Sequence, residues 1–366
     1  MYINKLSFQN LRGLELISLD PSKSLNFIVG PNNAGKTTIL ESIYLLSCSK
    51  TFRGTNLDKM IQNGKNFFKI VAKISENTLN VSICLEKSLK SSKISTINDA
   101  KVSIKECLSN LPVISLCFGV ENFFNTSADN RRSLIDSGLF HVKHEYLPKL
   151  QNYNKILNAR NKSLKSKSDS NLSFLTEKLI DNGMLINEYR TRYMDELSLH
   201  FKETLTELAN NSALYTDISN ASFYYKSGYS NESLKSQYDE CLHKDLALGY
   251  TTIGPHRADI DFKISDDAVK DVASMSTQII LSLCFVIAQT RAFHVKHGHY
   301  PVLLIDDIFF GIDDKNLAVM IKLLSNSGAQ CFLSAPDLYN EKVKEIIGSS
   351  NNKLFTLVDM KQKESQ

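Results

Sequence analysis

An α/β fold whose sheet is divided in sequence by a helical insertion is what this chain predicts, on three observations. The first is a strand–loop–helix passage near the N-terminus: the apolar run Leu25 to Val29 enters Gly30-Pro31-Asn32-Asn33-Ala34-Gly35-Lys36-Thr37, and the amphipathic run Thr38 to Leu46 leaves it. The second is Pro301-Val302-Leu303-Leu304-Ile305-Asp306-Asp307, an apolar strand ending in two acids. The third is the distance between them, with Asp306 standing 270 positions (306 minus 36) after Lys36.

The elements follow in order. Short β-rich runs occupy the first hundred or so residues, at Met1 to Phe8, Leu25 to Val29, Phe67 to Ser75, Leu79 to Leu85 and Val102 to Ile104. From about Asn130 to Leu208 the period becomes helical, with Leu134, Ile135 and Leu139, then Leu175, Leu179, Ile186, Tyr193 and Leu197. Strand-like segments return at Ala221 to Tyr225, Ile260 to Ile264, Val302 to Ile305 and Gln330 to Leu333, and are expected to complete the sheet begun at the N-terminus. The resulting division is 1–110 and 246–366 for a split nucleotide lobe, and 111–245 for an inserted helical lobe. A chain of 366 residues exceeds what one hydrophobic core serves, and 42% hydrophobic content supplies two.

Composition narrows the classes. Seven scattered cysteines with no C-x-x-C pair argue against a zinc ribbon or a disulfide framework, and read as reduced, buried thiols. Met1 to Leu6 lacks the form of a secretory signal, and the apolar stretch Ile279 to Ala288 is about half of the roughly 20 residues a membrane span needs. The expectation is a soluble, cytoplasmic protein with no membrane partner. A net charge of +4 does not by itself predict nucleic-acid binding, so local clusters must carry that case. Arg131-Arg132, His256-Arg257 and the run Arg160 to Lys167 are such clusters. The run reads most simply as a solvated Ser/Lys loop between helices. The arginine pairs either touch phosphate through their forked donors or close internal salt bridges, with Asp136 or Asp259 as natural partners.

The glycine loop is a complete phosphate-binding loop. Gly30, Pro31, Asn32, Asn33, Ala34 and Gly35 let the backbone aim N–H groups at the β- and γ-phosphates of ATP; Lys36 adds a point charge, and Thr37, with Thr38 behind it, offers a hydroxyl to Mg²⁺. Asp306 is the expected metal-holding partner, and Asp307 the carboxylate that orients or deprotonates the attacking water, unless it is a cap. The long separation of loop and acidic strand is the layout of ABC-type ATPase heads, in which two heads sandwich two ATPs as a closed two-fold dimer. Ala273-Ser274-Met275-Ser276-Thr277-Gln278 lies where such heads place the segment that completes the partner's site, so that Ser274 would bind the γ-phosphate in trans; as an ordinary helix cap it fits equally well.

With these residues in place, the chain resembles the RecF family of bacterial recombination-repair ATPases over nearly its whole length. Ser49-Lys50-Thr51-Phe52-Arg53, Asn130 to Asp136, Tyr153 to Asn161 and, most specifically, Thr251 to Asp259 look like family blocks in family order, and Gly311-Ile312-Asp313 looks like the family's D-loop. The resemblance implies an ATP-dependent homodimer that binds double-stranded DNA, helps load recombinase at gaps in concert with recombination mediator proteins, and hydrolyses ATP slowly. Arg131, Arg132 and Arg257 become candidate contacts to DNA or phosphate. Two departures open an alternative. Ser276 stands where the family has glycine and Ile279 where it usually has a basic residue, which points to a non-hydrolysing ATP-switched DNA clamp or a degenerate copy kept as a scaffold. Ser334-Ala335-Pro336-Asp337 also carries a proline where the family tends to have hydroxyls, which puts its γ-phosphate sensing in question.

One feature falls outside this reading. Phe140-His141-Val142-Lys143-His144 recurs as Phe293-His294-Val295-Lys296-His297 in otherwise unlike surroundings. With His299 nearby the second copy mimics a metal cluster, yet no acid or cysteine is adjacent to complete a tetrahedral site. Phe-His-Val-Lys can be encoded by TTT-CAC-GTG-AAA, which reads identically on the complementary strand and resembles the core of the bacterial centromere sequence bound by chromosome-partition proteins. On that reading the gene, not the polypeptide, is the functional object, and codons that break the palindrome in both copies end the idea.

Overall fold

A computed structural model describes the chain except residues 52, 53, 55, 77, 78, 118–122, 167–170, 212, 231–233, 310, 349, 350 and 358–366, and the side chains of 76, 79, 117, 211, 213, 214 and 216. Its described residues form two compact units: Met1–Phe123 with Ser274–Gln366, and Phe124–Ala273 between them.

The first unit opens with β1 (Tyr2–Leu11), β2 (Leu14–Leu19), β3 (Leu25–Gly30), α1 (Lys36–Cys48), β4 (Phe67–Glu76), β5 (Leu79–Ser88), β6 (Ile94–Ile97), β7 (Ala100–Lys101), α2 (Ile104–Asn110) and β8 (Val113–Cys117). The inserted unit holds α3 (Ala128–Val142), α4 (Tyr146–Ser166), α5 (Leu172–Asn211), β9 (Ala221–Lys226), α6 (Leu234–Leu248), β10 (Asp259–Ile264), β11 (Asp267–Ala268) and α7 (Val269–Val272). The first unit then resumes with α8 (Met275–His297), β12 (Val302–Asp306), α9 (Asp314–Asn326), β13 (Cys331–Pro336), α10 (Asn340–Ile347) and β14 (Lys353–Thr356).

Two sheets make the first unit. An antiparallel sheet runs β2-β1-β4-β5-β6-β7, and a sheet of parallel pairs runs β14-β3-β13-β12-β8. β3 and β12 are buried along their whole length, as the near-continuous apolar runs of a sheet covered on both faces require. α1 and α8 are buried almost all round, so the run Thr38 to Leu46, expected to be amphipathic, has no exposed polar stripe. By length and composition α8 would pass for a membrane span, but 83% of its apolar window is buried inside the protein, so it is a core helix. Gln330 clamps the unit's two sheets, its amide donating to the Ile3 carbonyl while its Oε1 accepts from the Ile3 N–H, both at 2.8 Å. Among the cysteines whose side chains are described, Cys107, Cys284 and Cys331 are buried and Cys48, Cys84 and Cys241 partly exposed, and all are free thiols.

Four sequence expectations are corrected here. Ala221 to Tyr225 and Ile260 to Ile264 do not complete the N-terminal sheet; as β9 and β10 they pair antiparallel, with β11, in the inserted unit's own sheet, so that unit extends to 273 instead of 245. It also begins at 124 and not 111, because β8 pairs with β12 in the parallel sheet. Val102 to Ile104 is no strand: the Ser103–Glu106 capping box, two reciprocal side-chain-to-backbone bonds, starts α2 there. The run Arg160 to Lys167 is not a loop, since residues through Ser166 complete α4, and Lys167 lies outside the described residues.

Arg160 shows why. It is fully buried, as is its partner Asp245; Nη1 donates to Asp245 Oδ2 at 2.8 Å and to Thr251 Oγ1 at 2.7 Å, and Nε donates to Thr176 Oγ1 at 2.9 Å. Asp245 Oδ1 in turn accepts from the Thr252 N–H at 3.0 Å. This one side chain ties α4, α5 and α6 to the segment after α6. Replacing it by leucine strands a buried carboxylate, so Arg160→Leu is expected to destabilise the protein by about 3–5 kcal/mol. Chemical denaturation checks this, and adding Asp245→Leu should restore much of the loss.

Candidate nucleotide site

The loop after β3 is shaped by two left-handed residues, Asn33 (φ 66°) and Gly35 (φ 100°). Asn tolerates that region, but at φ 100° the Gly35 backbone demands glycine, and a Cβ there would also push on Leu14 Cδ2 at 2.9 Å. α1 begins at Lys36, and its free N-terminal N–H groups point out of the loop, a ready anion site. The Lys36 ammonium donates to the carbonyls of Gly30 (2.8 Å) and Pro31 (3.0 Å), which holds it over the loop. Burial lowers its pKa from the ordinary lysine value, against the attraction of Asp307, Asp306 and Asp337. Those three acids surround it because of strand register: β13 lies between β3 and β12, with Pro336 opposite Gly30 and Leu333 opposite Ile305.

At the tip of β12, Asp306 is almost wholly buried. Its Oδ1 accepts from Thr37 Oγ1 at 3.2 Å and from Ser334 Oγ at 2.6 Å. Ser334 Oγ also accepts from the Asp307 N–H at 2.7 Å, so one hydroxyl spans both acids. Asp307 itself sits at φ 53°, a strained region that asparagine and aspartate tolerate best, and its carboxylate turns into the cavity. That cavity, of about 540 Å³, is lined by Asn32, Asn33, Lys36, Thr37, Asp307 and also Arg12. The set fits a nucleotide triphosphate and a hard divalent ion: a helix N-terminus behind a glycine loop, one buried cation, and a hydroxyl beside a carboxylate. Asp306 and Asp307 thus lie beside the loop. Pro336, the proline that put γ-phosphate sensing by this segment in question, ends β13, while the Ser334 hydroxyl meets Asp306.

Arg12 was not legible beforehand. It occupies the β1–β2 turn at φ 49°, and donates to Glu41 Oε2 at 2.9 Å and Thr38 Oγ1 at 3.3 Å. Glu41 is fully buried on α1. A charged residue on the buried face of an apolar helix was the available signal, since such a carboxylate needs a cation.

Ser274 is the N-cap of α8, accepting from the Thr277 N–H at 3.2 Å, so the capping alternative is realised; its position at a long helix's N-terminus leaves the phosphate role compatible. Ser276 Oγ donates to the Gly311 carbonyl at 3.1 Å, linking this segment to the D-loop-like turn. Ile279 is buried, so an apolar side chain there fills core and leaves no hole in a charged surface.

In the inserted unit the arginine pairs are largely committed internally. Arg131 binds Asp259 bidentately, Nε to Oδ1 at 2.7 Å and Nη2 to Oδ2 at 2.8 Å. Burial opposes ionisation of Asp259, but these bonds outweigh it and hold its pKa below the usual value. Arg132 donates to the Ala258 carbonyl and to Asp129. Asp136 takes Arg190 instead, at 2.9 Å. His256 is no cation at neutral pH: burial pushes its pKa down to about 4, and Nδ1 is 2.7 Å from Tyr153 Oη. Arg257 is exposed, with one bond to the Thr251 carbonyl at 3.2 Å and a seat over the Tyr250 ring. Of the Ser49–Arg53 block, Phe52 and Arg53 lie outside the described residues.

Comparison with known proteins agrees with this geometry. The sequence model of the RecF/RecN/SMC N terminal domain family matches residues 2–354. A Francisella tularensis subsp. holarctica protein named DNA replication and repair protein RecF is 29% identical over 353 residues, covering 96% of this chain and 99% of the relative. A solved structure described as recombination mediator protein RecF-ATP in the RecFOR pathway superposes with a TM-score of 0.77 at 25% identity, covering 92% of each chain. Its RecF-ATPrS counterpart superposes at 0.79 and 24% identity, covering 97% of this chain and 95% of that one.

Proposed function

This chain belongs to the RecF/RecN/SMC N terminal domain family and is a RecF-family ABC-type ATPase head, and on that premise we propose that it is an ATP-dependent DNA-binding protein of recombinational repair and replication restart. The observation that carries the proposal is the Thr37–Asp306–Ser334 chain of hydrogen bonds, whose Thr37 end lines the same cavity as Lys36 and Asp307. Lys36 and backbone N–H groups between Asn32 and Thr38 bind the triphosphate. Thr37 and Asp306 would hold Mg²⁺, which would offset phosphate charge. Asp307 orients the attacking water and accepts its proton. Arg12 adds a second cation at the cavity wall.

Ser274, at the N-terminus of α8, completes the site of a second copy, so the homodimer forms with ATP bound. The dimer holds double-stranded DNA at gap junctions and, with recombination mediator proteins in the cytoplasm, helps recombinase loading; slow hydrolysis releases it. The matched RecF proteins, a DNA replication and repair protein and a recombination mediator protein, support this reading. Contact to DNA is mostly to backbone phosphates, with exposed Arg257 the best placed of the three arginines and Arg131 and Arg132 shaping the surface behind it. Duplex affinity is therefore expected to fall by about 10³-fold or more between roughly 50 and 200 mM salt, with little dependence on sequence. A flat salt response in fluorescence anisotropy contradicts phosphate-dominated binding.

The bond from Ser276 to Gly311 favours one second reading, an ATP-switched clamp or scaffold that does not hydrolyse. A hydroxymethyl group pinned to the D-loop-like turn stands where the backbone must approach a partner's phosphate closely. Ser276→Gly separates the two. If this contact limits an active ATPase, turnover rises several-fold at unchanged ATP affinity; if the dimer forms yet neither protein turns over, the clamp reading is the better one.

A further inference from the structure

The repeated pentapeptide has no shared setting in the folded chain. In the first copy Val142 ends α3 and Lys143 leaves the helix at φ −133°, ψ 86°; in the second all five residues remain inside α8. Val142 is 5% exposed and Val295 70%. His141 is buried, whereas His294 is partly exposed and stacked on Tyr300 at 3.9 Å. Phe140 meets His144 tilted at 5.6 Å, whereas Phe293 stacks on His297 at 4.5 Å. The copies also lie in different units, and among the described residues no group of three or more His, Cys, Asp or Glu is placed to hold a metal. No common surface, ligand set or packing task explains why the same five side chains stand in both places. Yet four of the chain's eight histidines belong to the two copies, so coincidence is a poor explanation as well.

The genetic code supplies one. Phe, His and Lys each have two codons and Val four, so Phe-His-Val-Lys has thirty-two encodings. In every one of them the bases fixed by the amino acids are compatible with dyad symmetry about the His–Val junction, and one encoding, TTT-CAC-GTG-AAA, is fully self-complementary. The flanks differ in a way that can be read from the protein. Leu139 and His144 allow TG on the left and CA on the right, extending the first palindrome to sixteen bases. Ala292, whose codons begin GC, stops the second at fourteen or fewer.

We propose that the coding DNA at these two copies is a binding site for a two-fold symmetric, sequence-specific DNA-binding dimer, the long palindrome at codons 139–144 being the stronger site. Such a protein reads matched half-sites across a dyad, and self-complementarity is the signature it imposes on DNA. This also accounts for the identity of residues whose protein environments differ.

The test is to read the codons of both copies and then to footprint the gene in cells that carry it, before and after recoding each copy to TTC-CAT-GTA-AAG, which leaves the protein unchanged. The expected result is the self-complementary encoding, with protection centred on the junction of codons 141 and 142 and binding reduced by about 10³-fold or more after recoding. Codons that break the palindrome in both copies overturn the proposal. An intact palindrome that is unprotected, or protected equally after recoding, overturns it too.

Discussion

Lys36→Ala is expected to weaken ATP binding by about 100-fold or more while leaving the fold intact. The ammonium already sits over the loop on the Gly30 and Pro31 carbonyls, and by giving up one of these bonds it can direct two of its three donors to phosphate. Each charge-assisted bond is worth about 1.5–3 kcal/mol, and two of them account for two decades or more of affinity. Folding should not suffer, because alanine suits the first turn of a helix and burying this lysine already acts against its charge. Isothermal titration with ATP and a melting curve check the two halves separately. An unchanged affinity would remove the phosphate loop from the mechanism.

Asp307→Asn should lower ATP turnover by about 10²–10⁴-fold with ATP affinity retained. Asparagine keeps the left-handed backbone at φ 53° and the N–H donated to Ser334, so the variant differs in the proton-accepting oxygen and little else. The ATP-bound dimer should then persist, and retention on duplex DNA should lengthen. Single-turnover hydrolysis measures the first effect and DNA dissociation kinetics the second. A variant that turns over like the parent would assign the base elsewhere in the cavity.

The phosphate loop and the acidic strand were legible because their chemistry is local: glycines, a lysine, a hydroxyl and two acids, each adjacent to an apolar run. Ser334 was harder. Its role depends on β13 lying between β3 and β12, a register that joins residues 28 positions apart and is invisible to period or propensity. Arg12 was missed for the same reason, since only the turn between β1 and β2 carries it to Glu41. In the inserted unit, periodicity marked the helical stretch from Asn130 to Leu208 but left α6 unread, took the end of α4 for a loop and misassigned the strands. β9 and β10 look like any other half-buried strands, and nothing local says which sheet they join. The blocks at 130–136, 153–161 and 251–259 were recognisable, yet much of their chemistry is architectural. Arg131 with Asp259, Tyr153 with His256, and Asn161 with Thr251 fasten one to another. The Arg131–Asp259 bridge was one of the alternatives the sequence offered, whereas Arg190, 54 positions away, was not foreseen as the partner of Asp136.

The proposed function turns on a homodimer that forms only around ATP, and sedimentation velocity of the wild-type chain with and without MgATP, in the presence of a gapped duplex, tests that most directly. The expected result is a monomer without nucleotide and a DNA-bound dimer with it. A chain that binds ATP yet stays monomeric and leaves the duplex free would contradict the clamp, and would mean that the segment from Ser274 to Ser276 does not complete a partner's site.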